Sequence, residues 1–154
     1  MVYFPDLSPF TYSRKPKCGQ LDVVSVGWLD GEHNFSTGKI DPERWAKFEM
    51  MLKSHAPIYL TRGKYVCELC GKASGNGEVH AYHPHTKKIY VAPALILHYI
   101  QAHQYLPPEE FIEAVFHKLL KENDCTELES LFDALDFGMN EERAQEKINQ
   151  ILGI

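Results

Sequence analysis

The pair Cys67 and Cys70, with Gly71 directly after it, is the part of the sequence best suited to chemistry. Two cysteines three positions apart can turn both thiolates toward one metal ion, and a glycine lets the backbone turn tightly behind them. Farther along the chain, His98 and His103 have the spacing allowed for the second half of a tetrahedral site. The four side chains together predict a zinc site.

The spacer between the two halves of this site indicates what kind of zinc module it is. It has 27 residues, from 71 to 97, whereas a simple zinc finger has about 12–15. A β-hairpin fits into this length, so we expect a cysteine knuckle, a hairpin and a helix in that order, which is a treble-clef-like module. Four protein ligands leave no open position for water, and the zinc is therefore expected to be structural.

The histidine pair poses a geometric problem. Side chains five positions apart on an ideal helix point about 140° apart around the axis. His98 and His103 can face one ion only if the last turn before Leu106 and Pro107 tightens or unwinds, which the following prolines favour. The alternative ligand in place of His103 is His80, on the predicted hairpin.

Two other groups of polar residues could take part in catalysis, but each lacks a partner that the chemistry requires. A strand histidine beside a metal helix is how ββα-metal nucleases arrange a general base, and His80, His83 and His85 could supply one. No acidic or Asn partner at helical spacing is present to hold magnesium, so we interpret these three as turn and surface residues. A pairing of Asp30 with His33 lacks a nucleophile. We therefore expect a non-enzymatic protein.

Basic and aromatic residues around the proposed zinc module offer another alternative, a nucleic-acid-binding surface. These residues are Arg62, Lys64, Lys72, Lys87, Lys88, Tyr65, Tyr82 and Tyr90. Scattered basic side chains usually lie solvated at the surface, so this alternative is less favoured than binding to a protein.

Charge divides the chain into two parts. The 154 residues carry a net charge of -5, but residues 1–121 hold 14 basic against 12 acidic side chains and residues 122–154 hold 2 against 9. We predict a zinc-stabilised domain over residues 1–121 and an acidic helical extension over residues 122–154. Such an extension could dock on a basic protein partner.

The chain lacks the signals of membrane insertion and secretion. It contains no run of 18 apolar residues, and residues 1–6 have neither a basic start nor an apolar core. We expect a cytoplasmic protein with no membrane contact, in which cysteines are thiols or metal ligands. Cys18 and Cys125 stand alone in the sequence and are expected to be free thiols with a packing role.

Periodicity and turn residues predict an α+β fold, with a small antiparallel sheet or hairpins followed by C-terminal helices. In chain order, the predicted elements are an extended arm (3–12), a strand (21–29) entering a turn at Asp30 and Gly31, a helix capped by Asp41, strands at 58–60 and 65–66, a hairpin (77–91), a helix from Pro93 to about Tyr105, a helix from Pro108 through Leu120, a helix with a capping box at Thr126, and a last helix capped by Asn140.

The sequence also resembles a family of small uncharacterised bacterial proteins. The resemblance covers about residues 3–121 and rests on Tyr3-Phe4-Pro5-Asp6-Leu7-Ser8-Pro9, Val26-Gly27-Trp28-Leu29-Asp30-Gly31, Cys67-x-x-Cys70-Gly71, Ala92-Pro93-Ala94-Leu95-Ile96, His98-Tyr99-Ile100, His103 and Tyr105-x-Pro107-Pro108. It implies a bacterial, cytosolic, zinc-containing protein and the same four ligands. It implies no activity, so the expected function is binding to another protein, as an adaptor, accessory subunit or immunity-type factor.

Overall fold

The computed structural model describes residues 3–10, 21–60 and 63–154, and its mixed α+β fold confirms the predicted class. The strands are β1 Asp22–Ser25, β2 Tyr65–Val66, β3 Ser74–Gly75, β4 Glu78–His83, β5 Lys88–Pro93 and β6 Lys118–Leu119. The helices are α1 Pro42–Lys53, α2 Ile96–His103, α3 Glu109–His117, α4 Glu122–Asp136 and α5 Glu141–Leu152. Cys18 and Arg62 lie outside the described residues.

The central sheet has the strand order β1-β5-β4-β6, and β2 and β3 form a separate two-stranded ribbon. Strands β4 and β5 form the predicted antiparallel hairpin. The sheet is mixed rather than wholly antiparallel, because β1 runs parallel to β5. A parallel pair needs a long crossover between its strands, so the turn at Asp30 and Gly31 does not return β1 into a hairpin.

Several predicted boundaries shift because strand pairing overrides local helix signals. Pro93 does not open a helix, since it is the last residue of β5 and pairs with Glu78. The helix after Pro108 ends at His117, because the next two residues pair with β4 as β6. Ile58 likewise bridges to β4, not to the strand at 65–66.

Two of the predicted helix starts that rest on a side-chain cap are confirmed, and a third is shifted. The Asp41 carboxylate accepts the backbone N–H of Arg44 at 3.3 Å, and Asn140 caps α5 in the same way, as predicted. Helix α4 begins four residues before Thr126, because Asp124 accepts the N–H of Lys121 at 3.0 Å. Each start is thus fixed by a hydrogen bond across three positions, with the acceptor at the N-cap for Asp41 and Asn140 and inside the first turn for Asp124.

The described part of the N-terminal arm, residues 3–10, packs on the body as predicted, but it is interrupted by a turn in which the N–H of Ser8 donates to the carbonyl of Pro5 at 3.1 Å. Its backbone N–H groups at Leu7 and Phe10 donate to carbonyls of β1 at 2.7 and 3.0 Å. The rings of Phe4 and Phe10 lie against Trp28. The arm thus covers the outer edge of β1.

Helices α4 and α5 pack on the body with their apolar faces. Residues Cys125, Leu128, Phe132, Ile148 and Leu152 share one buried cluster with Trp28, Tyr82, Ile89 and Val91. The acidic extension is therefore part of the same core as the central sheet, and the division at residue 121 stays a prediction about charge and function.

Candidate metal centre

The two cysteines lie in the turn that joins β2 to β3. The N–H of Cys67 donates to the carbonyl of Ala73, and the N–H of Gly71 donates to the carbonyl of Cys67, both at 2.8 Å. Gly71 has a φ of 67°, a conformation in which a side chain would be strained. This tight turn is the predicted knuckle, and it faces both thiols the same way.

The two histidines lie near opposite ends of α2. The N–H groups of Gln104 and Tyr105 both donate to the carbonyl of Tyr99, so the last turn is wider than an ideal α-turn. These wide hydrogen bonds are made by the two residues that follow His103, so the helix unwinds before Leu106 as predicted. Both histidines stay within α2, and their imidazoles nevertheless meet.

The four predicted ligands converge. Their ligand atoms all lie within 4.8 Å of one another, and the imidazole centroids of His98 and His103 are 5.1 Å apart. The distance from Cys67 Sγ to His103 Nε2 is 3.4 Å, and that from Cys70 Sγ to His98 Nε2 is also 3.4 Å. This group could hold a metal ion.

These distances allow a test of the fit to zinc. Tetrahedral zinc with bonds of about 2.3 Å to sulfur and about 2.0 Å to nitrogen separates the two ligand atoms by about 3.5 Å. Both measured sulfur–nitrogen distances match this edge. The residues present therefore fit a closed Cys2His2 zinc site, while the identity of the ion stays a prediction.

Burial affects the two kinds of ligand in opposite ways. It lowers the pKa of His98, which favours the neutral imidazole that a metal requires. It raises the pKa of the Cys67 thiol, so this cysteine gains little thiolate character without a cation. The backbone N–H of Lys72 points at Cys70 Sγ from 3.4 Å and would stabilise a thiolate there.

His80 does not belong to this centre. It is buried in β4, with its Nε2 2.9 Å from the Glu78 carboxylate and its Nδ1 3.6 Å from the thiol of Cys125. We call these three residues the Glu78-His80-Cys125 chain. The structure thus places His103, and not the alternative His80, with the cysteine pair.

The Glu78-His80-Cys125 chain was not predicted from the sequence. Glu78 and His80 are two positions apart in a strand and so share a face, a signal that was available in the predicted hairpin. Cys125 was expected to stand alone, and no local pattern connects it to a strand 45 residues earlier.

The surface interpretation of the hairpin histidines is wrong for two of the three. His80 and His83 are 9% and 3% exposed, and only His85 lies at the surface. His83 donates from Nε2 to Glu113 at 2.8 Å, while its Nδ1 accepts the N–H of His85 at 3.1 Å. Its ring therefore has a structural role in fixing the hairpin turn.

Two of the three tyrosines of the proposed nucleic-acid surface are buried, while Tyr65 is half-buried and donates its hydroxyl to the carbonyl of Gly77 at 2.7 Å. Tyr82 and Tyr90 are 2% and 0% exposed, so neither can stack on a base. Lys88 lies 3.8 Å from Glu110. Asp30 and His33 do pair, at 2.9 Å, but no serine, threonine or cysteine side chain in the described part of the protein hydrogen-bonds to either of them.

Comparison with known families places residues 2–116 in a family whose function is unknown. The chain belongs to the family described as a domain of unknown function, DUF7919, whose model matches residues 2–116. The match includes all four predicted ligands and ends near the start of the acidic extension. Comparison with curated proteins and with solved structures gave no match.

No helix in the described part of the chain combines the length and the apolar character needed to span a bilayer.

Proposed function

We propose that this protein is a non-enzymatic, cytoplasmic, zinc-stabilised protein that acts by binding a basic partner protein through residues 122–154. It would serve as an adaptor, an accessory subunit or an immunity-type factor. The order of knuckle, hairpin and helix supports a treble-clef-like module. Four converging ligands support a structural rather than a catalytic zinc, because a closed site has no position for substrate.

The observation that carries the proposed partner surface is the exposure of Phe137. This ring lies in the turn between α4 and α5 and is 92% exposed. Aromatic residues are enriched at the centres of protein interfaces, where they contribute much of the binding energy. Phe137 is thus the candidate anchor of the interface.

The surroundings of Phe137 define the charge of the partner. Asp133 and Asp136 are exposed near the same helix end, and the whole extension has 9 acidic against 2 basic residues. The apolar faces of α4 and α5 are already used against the sheet, so the outward faces are the acidic ones. A basic surface with an apolar pocket complements them.

The proposed surface can be tested with a point variant that leaves the core intact. Partners that co-purify with the wild type should be compared with those of Phe137→Ser, and Met50→Ser serves as the matched control because Met50 is 64% exposed on α1. We expect a basic protein that is retained by the wild type and by Met50→Ser and is lost from Phe137→Ser. An identical set of partners for all three proteins would contradict the proposal.

A further inference from the structure

A cleft of about 320 Å³ lies between the N-terminal arm and the loop after β1. Three aromatic rings and one carboxylate line it, together with polar side chains near the rim. These residues include Tyr3, Phe4, Asp6, Asn34, Phe35 and Ser36. Its volume is at the small end of the range for ligand pockets, about 300–1,000 Å³. The cleft is separate from the metal centre and from Phe137, since neither contributes a lining residue.

Asp6 gives the cleft a negative charge. Its Oδ1 accepts the backbone N–H of Gly27 at 2.9 Å, and both of its oxygens accept the hydroxyl of Tyr105 at 2.9 Å. The N–H of Gly27 and the hydroxyl of Tyr105 both donate to Asp6, and such contacts stabilise its ionised carboxylate.

Asp6 has no cationic partner among the described residues. The ion pairs of the described lysines and arginines involve other acids. Burial raises the pKa of Asp6, which shows that the charge is held at a cost. A buried carboxylate is normally paired with a cation. Among the described residues, no lysine or arginine side chain balances the negative charge of Asp6.

The aromatic residues are held in place by the fold. Tyr3 stacks on His33, with ring centroids 3.9 Å apart and planes within 1°, and His33 is in turn fixed by Asp30. Phe35 meets the edge of Tyr105 at 6.1 Å. Electron-rich ring faces beside a carboxylate attract organic cations, and quaternary ammonium groups above all.

We propose that this cleft binds a small organic cation with an alkylated ammonium group. Asp6 supplies the opposite charge, and the rings of Tyr3, Phe4 and Phe35 surround the alkyl groups. Asn34 and Ser36, at the exposed rim, bind the polar remainder of the ligand. The same head group occurs on free small molecules such as choline and on methylated lysine side chains, and the volume accommodates either.

Calorimetric titration of the full-length protein tests the proposal with three probes. Choline and an N-acetylated trimethyllysine amide carry the cation, while 3,3-dimethylbutan-1-ol is the neutral isostere of choline. We expect at least one cation to bind with a Kd below about 10 mM and at least tenfold more tightly than the alcohol. Tighter binding of choline would indicate a free small molecule as the natural ligand, and tighter binding of the trimethyllysine amide would indicate a methylated side chain.

Two results would overturn the proposal: equal binding of the alcohol and both cations, or no binding of either cation at about 10 mM.

Variants then locate the binding site. Asp6→Asn should weaken the cation at least tenfold, and Asp22→Asn, which removes an exposed carboxylate on β1, should leave its affinity unchanged. Asp6 also anchors the arm through Gly27 and Tyr105, so Asp6→Asn could weaken binding by loosening the arm. Tyr3→Leu, at a half-exposed position, is therefore a second variant. A lost cation–π contact should cost about two- to thirtyfold in affinity. Unchanged affinity in Tyr3→Leu would place the cation elsewhere and overturn the assignment.

Discussion

Two groups of cysteine and histidine side chains lie in this molecule, and they differ in geometry rather than in composition. In the metal centre, the four ligand atoms converge within 4.8 Å. In the Glu78-His80-Cys125 chain, the carboxylate and the thiol contact opposite nitrogens of one imidazole. One ion cannot bind both nitrogens of a single ring, so the second group forms a line of hydrogen bonds instead of a coordination shell.

The two groups also differ in what surrounds them. The metal centre joins β2 and β3, of two residues each, to the eight-residue α2. Elements this short have little packing of their own, so the ion would supply much of their stability. The Glu78-His80-Cys125 chain lies between the central sheet and α4, where a buried apolar cluster already holds the helix. Loss of the first group should therefore have the larger effect.

The largest expected effect follows removal of the metal. Protein purified without added metal should contain about one zinc per chain, and the double substitution of Cys67→Ser with Cys70→Ser should lose both the metal and the fold. Elemental analysis and circular dichroism provide the measurements. Cys125→Ser is the matched control and should keep its zinc. A metal-free wild type with unchanged thermal melting would refute the structural role of zinc.

A smaller effect is expected in the second group. His80→Ala leaves the Glu78 carboxylate buried without its partner, which should lower the free energy of unfolding by about 2–4 kcal/mol. Urea denaturation measures this loss. His85→Ala, at an exposed position of the same hairpin, should change it by less than about 0.5 kcal/mol. Loss of zinc from His80→Ala would instead make His80 a ligand and remove the distinction between the groups.

The smallest effect is expected in the reactivity of Cys125. Burial raises the pKa of this thiol to about 12, so at pH 8 only about one molecule in ten thousand carries the thiolate that reacts with iodoacetamide. Mass spectrometry should find the Cys125 peptide unmodified in the folded protein. Cys70, which is half-buried, should become reactive after chelation. Alkylation of Cys125 in the folded protein before chelation would show that the second group is open to solvent.

Local sequence determined the parts of the protein that depend on near neighbours. The knuckle at Cys67 and Cys70 follows from a short turn with a glycine at positive φ. The caps at Asp41 and Asn140 and the hairpin of β4 and β5 depend on residues a few positions apart. Spacing also picked out the cysteine pair and the histidine pair, whose members are three and five positions apart. Within each of these features the interacting groups are close along the chain, so a pattern in the sequence can register them.

Tertiary structure decided the pairings between distant segments. The parallel pairing of β1 with β5, the strand at Leu119 and the contact of Cys125 with His80 each join residues far apart in sequence. Strand edges accept any neighbour that offers backbone hydrogen bonds and a matching apolar face, and this partner is chosen only when the core is assembled. The position of His80 was decided in the same way, because its partners Glu78 and Cys125 lie on the central sheet and on α4, away from the cysteine pair that His103 joins.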